Sequence, residues 1–222
     1  MKKLIVVAPH PDDETLGCGG TLLFLRDQGF EIHWLIISSM KQNLGFSQQR
    51  ILCRKKEIKK VAATYKFASF SSLDFPTSKL DSIPKNEIIE KIGQVFEKIQ
   101  PNIIFVPFDG DVHSDHRIVF EATIACTKWF RHRSVHKILA YETLSETDFG
   151  LSSMVGFRPS VFYNIELYFA KKCEILKLYE GEMGLFPFPR SFETLEALAR
   201  LRGSAAGFKF AEAFQLLKEI NG

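Results

Sequence analysis

The stretch Lys3-Leu4-Ile5-Val6-Val7-Ala8-Pro9-His10-Pro11-Asp12-Asp13-Glu14 decides the fold class of this chain. A short apolar run bounded by prolines reads as a buried strand. Pro9 and Pro11 disfavour helix at the residues before them, so the chain stays extended through His10. A helix should then start around Asp13-Glu14-Thr15, where carboxylates suit the positive end of the dipole. Further along, the run Ile103 to Pro107 is followed by Asp111-Val112-His113-Ser114-Asp115-His116. The same grammar thus occurs twice: apolar strand, acidic and histidine-bearing turn, helix.

Between these points strands and helices alternate. Strands are expected over Lys3–Ala8, Glu31–Ser38, Phe67–Phe70, Ile103–Pro107 and Lys137–Thr143, with helices near Leu16–Gln28, Gln48–Tyr65, Lys85–Ile99 and Arg117–Phe130. Gly29 suits the position that ends the first helix. The alternation predicts βαβ units, a mostly parallel central sheet and a Rossmann-like three-layer α/β sandwich. After Thr143 the pattern changes, with helices over Lys171–Tyr179 and Phe192–Gly203 and a strand over Val161–Ile165. This part is expected to form an α+β extension over the carboxyl edge of the strands. No linker or repeat divides the chain, so residues 1–222 are expected to act as one domain.

Composition narrows the class. The chain has 222 residues, 45% hydrophobic and 25% charged, which is ordinary for a globular protein. A net charge of +3 gives no case for nucleic acid. The basic run Arg50, Arg54, Lys55, Lys56, Lys59 and Lys60 reads as a solvated helix face. Four scattered cysteines without CxxC spacing point to a reduced, cytoplasmic protein. Only five apolar residues precede Pro9, too few for a leader core or a membrane span. Oligomeric state is open, and a homo-oligomer is compatible with the sequence. Gly17, Gly19 and Gly20 lack the dinucleotide spacing, because Leu22 stands where a third glycine is required; they are expected to let the first helix pack closely.

In an open α/β sheet ligands bind beyond the carboxyl ends of the strands. Both polar clusters fall there, on strands that are neighbours in a 3-2-1-4-5 order. His10, Asp13 and His116 would supply the three protein ligands of an open catalytic metal site. Asp12, adjacent to a ligand, is the candidate base, and His113 the candidate imidazolium for an oxyanion or a leaving amine. Asp115 or Asp111 would hold the His113 ring. Tyr141, Glu142 and Glu146 are expected near the rim. The Phe-rich stretch 181–190 would form either a lid or a packed loop; as a lid, it would bring Arg190 to a substrate phosphate.

His10-Pro11-Asp12-Asp13-Glu14 with Asp111-x-His113-x-Asp115-His116 resembles the LmbE-like, or PIG-L, family of zinc-dependent N-deacetylases. Arg54-x-x-Glu57 and the tail from Arg202-Gly203 through Phe208 to Phe214 extend the resemblance over most of the chain. It implies zinc on His10, Asp13 and His116, Asp12 as the base, His113 at the oxyanion and Asp115 orienting it. It implies removal of acetyl from an N-acetylated amino sugar conjugate. Arg54, from the matching helix, and Arg190, from the 181–190 stretch where no family motif carries over, are the substrate-binding candidates. Ferrous iron also suits a His₂Asp set. The alternatives are an amidase acting on another small amide, such as a glycosylated natural product, and a non-catalytic protein that binds sugars or nucleotide-sugars.

Overall fold

A computed structural model describes residues 2–151 and 156–221. The chain runs β1 (Lys3–Ala8), α1 (Asp13–Asp27), β2 (Glu31–Ser39), α2 (Gln48–Tyr65), β3 (Ser69–Pro76), α3 (Lys85–Ile99), β4 (Ile103–Pro107), α4 (Ser114–Ala125), β5 (Lys137–Tyr141), β6 (Val161–Asn164), α5 (Phe169–Leu176), α6 (Phe192–Ser204) and β7 (Ala211–Glu219). One sheet in the order β3-β2-β1-β4-β5-β7-β6 collects all the strands. β3 through β5 are parallel, whereas β7 runs antiparallel to both β5 and β6.

The central strands are apolar throughout because helices cover both faces of the sheet. Leu4, Val6 and Ala8 of β1 pack with Leu22, Val61 and Ile175 beneath α1, α2 and α5. Ile5 and Val7 point the other way, to Ile88, Ile92, Phe96 and Val119 of α3 and α4. The period-2 alternation of a strand therefore divides one apolar run between two cores.

α5 lies two to three residues earlier than expected, at Phe169–Leu176, and β5 stops at Tyr141 rather than Thr143; three other elements differ more. β3 begins and ends later than Phe67–Phe70: Ser72 and Asp74 are exposed on an edge strand, and their polarity hides its extent. α4 starts at Ser114 and stops at Ala125, placing His116 in its first turn. β7 was not expected as a strand at all. Its sequence Ala-Glu-Ala-Phe-Gln-Leu-Leu-Lys-Glu is rich in helix formers, yet pairing on both sides and burial of Ala211, Ala213 and Phe214 hold it extended. The extension thus widens the sheet beyond β5, and its segment between α5 and α6 reaches over the carboxyl edge.

The helix α1 packs closely because its glycines leave no room for a Cβ. One at Gly17 would lie 2.3 Å from the Tyr141 ring, and one at Gly19 2.5 Å from the Tyr65 hydroxyl.

Candidate metal centre

β1 and β4 are adjacent, Val6 opposite Phe105, so both polar turns meet at one point above the sheet. There α1 departs to one face and α4 to the other. Asp12 makes the turn with φ 133°, a conformation that an L-residue adopts only at a cost. Its carbonyl accepts the backbone N–H groups of Thr15 and Leu16 at 2.9 and 2.8 Å. Its own N–H donates to Glu14 at 3.1 Å.

The turn brings His10, Asp13 and His116 together, each offering a ligand atom within 4.8 Å of the others. Asp13 Oδ2 lies 3.4 Å from His10 Nδ1 and 3.4 Å from His116 Nε2. The outer nitrogen of each ring faces a carboxylate: His10 Nε2 is 3.2 Å from Asp115 Oδ2, and His116 Nδ1 is 2.7 Å from Asp111 Oδ2. A proton on each outer nitrogen leaves the inner lone pairs converging on Asp13. Asp13 Oδ2 is itself anchored by the His10 backbone N–H at 2.8 Å.

His116 Nε2 is buried and has no hydrogen-bond partner among the described residues. A buried imidazole nitrogen so placed beside a carboxylate and a second imidazole suits a cation. The charge distribution agrees. Burial disfavours the protonated rings, but Asp115 and Asp13 outweigh it and push His10 up to about 9. His116 is likewise raised well above its ordinary value, against burial, by Asp13 and Asp111. The site therefore demands positive charge. His10, His113 and Asp115 also lie within ligand distance of one another. The Asp115 carboxylate, however, is already held by the backbone N–H groups of Ser78 and Leu80 at 2.7 and 3.2 Å, so the first triad fits a metal better.

Two expected roles change. The Asp115 carboxylate does not hold His113; it faces His10. What holds the His113 ring is the Asp115 backbone N–H, which donates to Nδ1 at 3.0 Å. Nδ1 is then the acceptor, and Nε2 carries the proton. Burial and the neighbouring His10 and His116 push His113 down to about 4, so it stands as a neutral N–H donor rather than an imidazolium. Asp111, for its part, orients His116 and not His113.

The guanidinium groups of both candidate arginines are engaged within the protein. Arg190 donates to Asp12 Oδ2 at 3.0 Å, to Glu182 at 3.2 Å and to Ser145 at 2.9 Å. Buried Arg54 binds Glu182, the Pro11 carbonyl at 2.8 Å and Glu57 at 3.1 Å. Both line the cavity, but their donors go to protein carboxylates and a carbonyl instead of facing a substrate phosphate. Arg190 contacts the Asp12 carboxylate and Arg54 the Pro11 carbonyl, so both hold the turn that carries Asp12. Sequence spacing gave no hint of this, since Arg190 lies 178 residues from Asp12.

Asp12 is buried, which raises its carboxyl well above the usual range; Asp13 and Glu182 add to this, while Arg190 and Arg54 oppose it. Glu14, fully buried, accepts from Thr15 and from Tyr179 (2.7 Å), and burial carries it up to about 7. Of the rim residues, Glu146 lines the cavity, Glu142 is paired with Arg202 at 2.5 Å, and Tyr141 is buried with its hydroxyl on Val7 O at 2.8 Å. In the 181–190 segment Leu185, Phe186 and Phe188 are exposed, so these side chains do not seal the core, while Glu182 and Arg190 at its ends reach the cavity.

A doubly wound α/β sheet with an open His-Asp-His cluster beside a buried carboxylate at the switch point defines the class of metal-dependent hydrolases. Comparison with known proteins narrows the class. Residues 5–127 match the family model PIG-L, GlcNAc-PI de-N-acetylase, and the chain belongs to this family of hydrolytic N-deacetylases. A probable N-acetyl-alpha-D-glucosaminyl L-malate deacetylase 2 from Bacillus cereus is 30% identical over 132 residues, which are 55% of this chain and 60% of that protein's length. The diacetylchitobiose deacetylase of Thermococcus kodakarensis is 24% identical over 233 residues, 99% of this chain and 85% of the relative. The solved N,N'-diacetylchitobiose deacetylase from Pyrococcus horikoshii has the same fold, with a TM-score of 0.78 at 19% identity over 98% of this chain and 84% of that one.

Proposed function

We propose that this chain is a zinc-dependent hydrolase that removes the acetyl group from an N-acetylated amino sugar conjugate, with His10, Asp13 and His116 as the metal ligands. The buried, unpartnered Nε2 of His116 facing Asp13 beside His10 carries this reading. When bound, the ion supplies Lewis acidity toward water and the acetyl carbonyl.

The remaining steps belong to side chains. Asp12 takes a proton from the attacking water as the C–O bond forms. The Nε2–H of His113 faces the oxygen on which negative charge develops, and its neutral state lets it donate without carrying a charge into the site, as a neutral catalytic imidazole does elsewhere. As the C–N bond breaks, the proton held by Asp12 passes to the departing nitrogen, giving acetate and a free amine. Arg190 keeps Asp12 in place through both transfers.

Strands from both ends of the chain share one sheet, which supports 1–222 as a single domain. Four unpaired cysteines support a cytoplasmic setting, and no helix among the described residues is long and apolar enough to cross a membrane.

The test is acetate release from a panel of N-acetylglucosamine conjugates, with and without zinc, beside Asp12→Ala. Zinc-dependent release falling about 10²–10⁴-fold in the variant is expected. One bound metal per chain with no release from any conjugate would sink the amino-sugar assignment.

A further inference from the structure

The cavity that begins at the metal centre does not end there. It has a volume of about 440 Å³, the size of a site for a whole drug-sized ligand rather than an acetamide alone. From His10, Asp12 and His113 it runs outward between α2 and β3. One wall is a single face of α2: Ile51, Lys55, Ile58 and Lys59 follow one another at helical spacing. The opposite wall is a single face of β3, where Phe70, Ser72 and Asp74 alternate along the strand. Met40 and Phe46, from the connection between β2 and α2, close a third side. β3 is the edge strand, so this arm opens to solvent.

The two ends of the cavity differ in charge. At the inner end Asp12, Asp13, Glu146 and Glu182 outnumber Arg54 and Arg190, and both guanidinium groups are bound to those carboxylates or their neighbours. Neither guanidinium is therefore free for an anionic group of a ligand. At the outer end Lys55 and Lys59 are exposed, and neither takes part in an ion pair among the described residues. Asp74 across the groove is the opposing charge and accepts the Ser72 hydroxyl at 2.9 Å. Two lysines against one such carboxylate leave the mouth positive. Between the ends lie Ile51, Ile58 and Phe70, the last 42% exposed, where a solvated enzyme gains nothing from an open apolar wall.

We infer that the α2–β3 groove is an aglycone subsite, selecting amino-sugar conjugates whose aglycone is an apolar chain or ring ending in an anionic group. Ile51, Ile58, Phe46 and Phe70 cover the apolar part, and Lys55 and Lys59 receive the anion. The inference rests on the deacetylase reading for the inner end only in that the sugar must enter there.

Three N-acetylglucosaminides differing only in aglycone test it on the zinc-loaded chain: methyl, octyl and 8-carboxyoctyl. Burying part of the chain should raise kcat/KM from methyl to octyl by about tenfold or more. The carboxylate should add a further several-fold gain that fades with salt. Phe70→Ala and Ile58→Ala should compress the octyl-to-methyl ratio, and Lys55→Ala/Lys59→Ala should erase the carboxyl increment. Calorimetric titration of the same glycosides into the zinc-loaded Asp12→Ala chain follows binding without turnover. Equal kcat/KM and equal affinity for all three would overturn the subsite while leaving the deacetylase intact. Tight, variant-sensitive binding of the carboxyoctyl glycoside without hydrolysis would uphold the subsite and reject the deacetylase.

Discussion

Replacing Asp111 by asparagine removes one charge from a bond that the site can otherwise keep. Asp111 Oδ2 accepts from His116 Nδ1 at 2.7 Å, and Oδ1 accepts the Thr147 hydroxyl at 2.6 Å. Both Asp111 and His116 are essentially buried, at 0% and 1% exposure. An asparagine of the same shape can turn its oxygen to His116 and its NH₂ to Thr147, whose hydroxyl can accept. The fold should therefore survive, and what is lost is the negative charge that makes His116 a better ligand. Such outer partners of a metal-bound histidine are worth about 10–100-fold in metal affinity, or about 1.4–2.7 kcal/mol. Competition against a chromophoric chelator measures zinc affinity directly, and the melting curve of the metal-free protein checks the fold. An Asp111→Asn protein that melts normally and binds zinc within twofold of the parent would refute the assignment of His116 as a ligand braced by Asp111.

Three further outcomes follow from the geometry. Arg190 is among the groups that lower the Asp12 pKa, so Arg190→Ala should raise it further and move the acid limb of kcat/KM to higher pH; an unmoved limb would dissociate Arg190 from the base. Glu14 has a folded pKa of about 7, above the ordinary 4.5 of a glutamate, because burial favours the neutral acid. Its contribution to stability is complete below about pH 4.5 and is lost as pH rises through 7, a change of order 1–3 kcal/mol. Denaturant unfolding of the metal-free protein and of Glu14→Gln across that window should show the parent's slope and a flatter one in the variant; parallel curves would contradict it. Gly17→Ala places a methyl 2.3 Å from the buried Tyr141 ring and 2.8 Å from the Glu142 carbonyl. It should cost about 1–3 kcal/mol, lowering Tm by about 2–4 °C per kcal/mol, and an unchanged melt would show that α1 can retreat from β5.

Much of the architecture was local enough to be read from the chain. β1, α2, α3 and β4 have the expected bounds because each carries its own period and its own stops, such as Ser47 capping α2 and the prolines after β1. β7 was missed because nothing local makes it a strand; the partners β5 and β6 on either side do. β3 was misplaced because an edge strand with one wet face needs little apolar sequence.

The site divides along the same line. The sequence by itself determined which residues cluster at the switch point, since two strand–turn–helix units on neighbouring strands must bring His10, Asp13 and His116 to one place. Only the tertiary structure decided which group serves which. Whether Asp115 offers its carboxylate to His10 or its backbone N–H to His113, and whether Arg190 meets a substrate or Asp12, depend on side-chain directions across gaps of up to 178 residues. Spacing along a chain fixes neighbours on one element; hydrogen-bond direction and charge neutralisation in a buried site are settled by what the other elements bring to it.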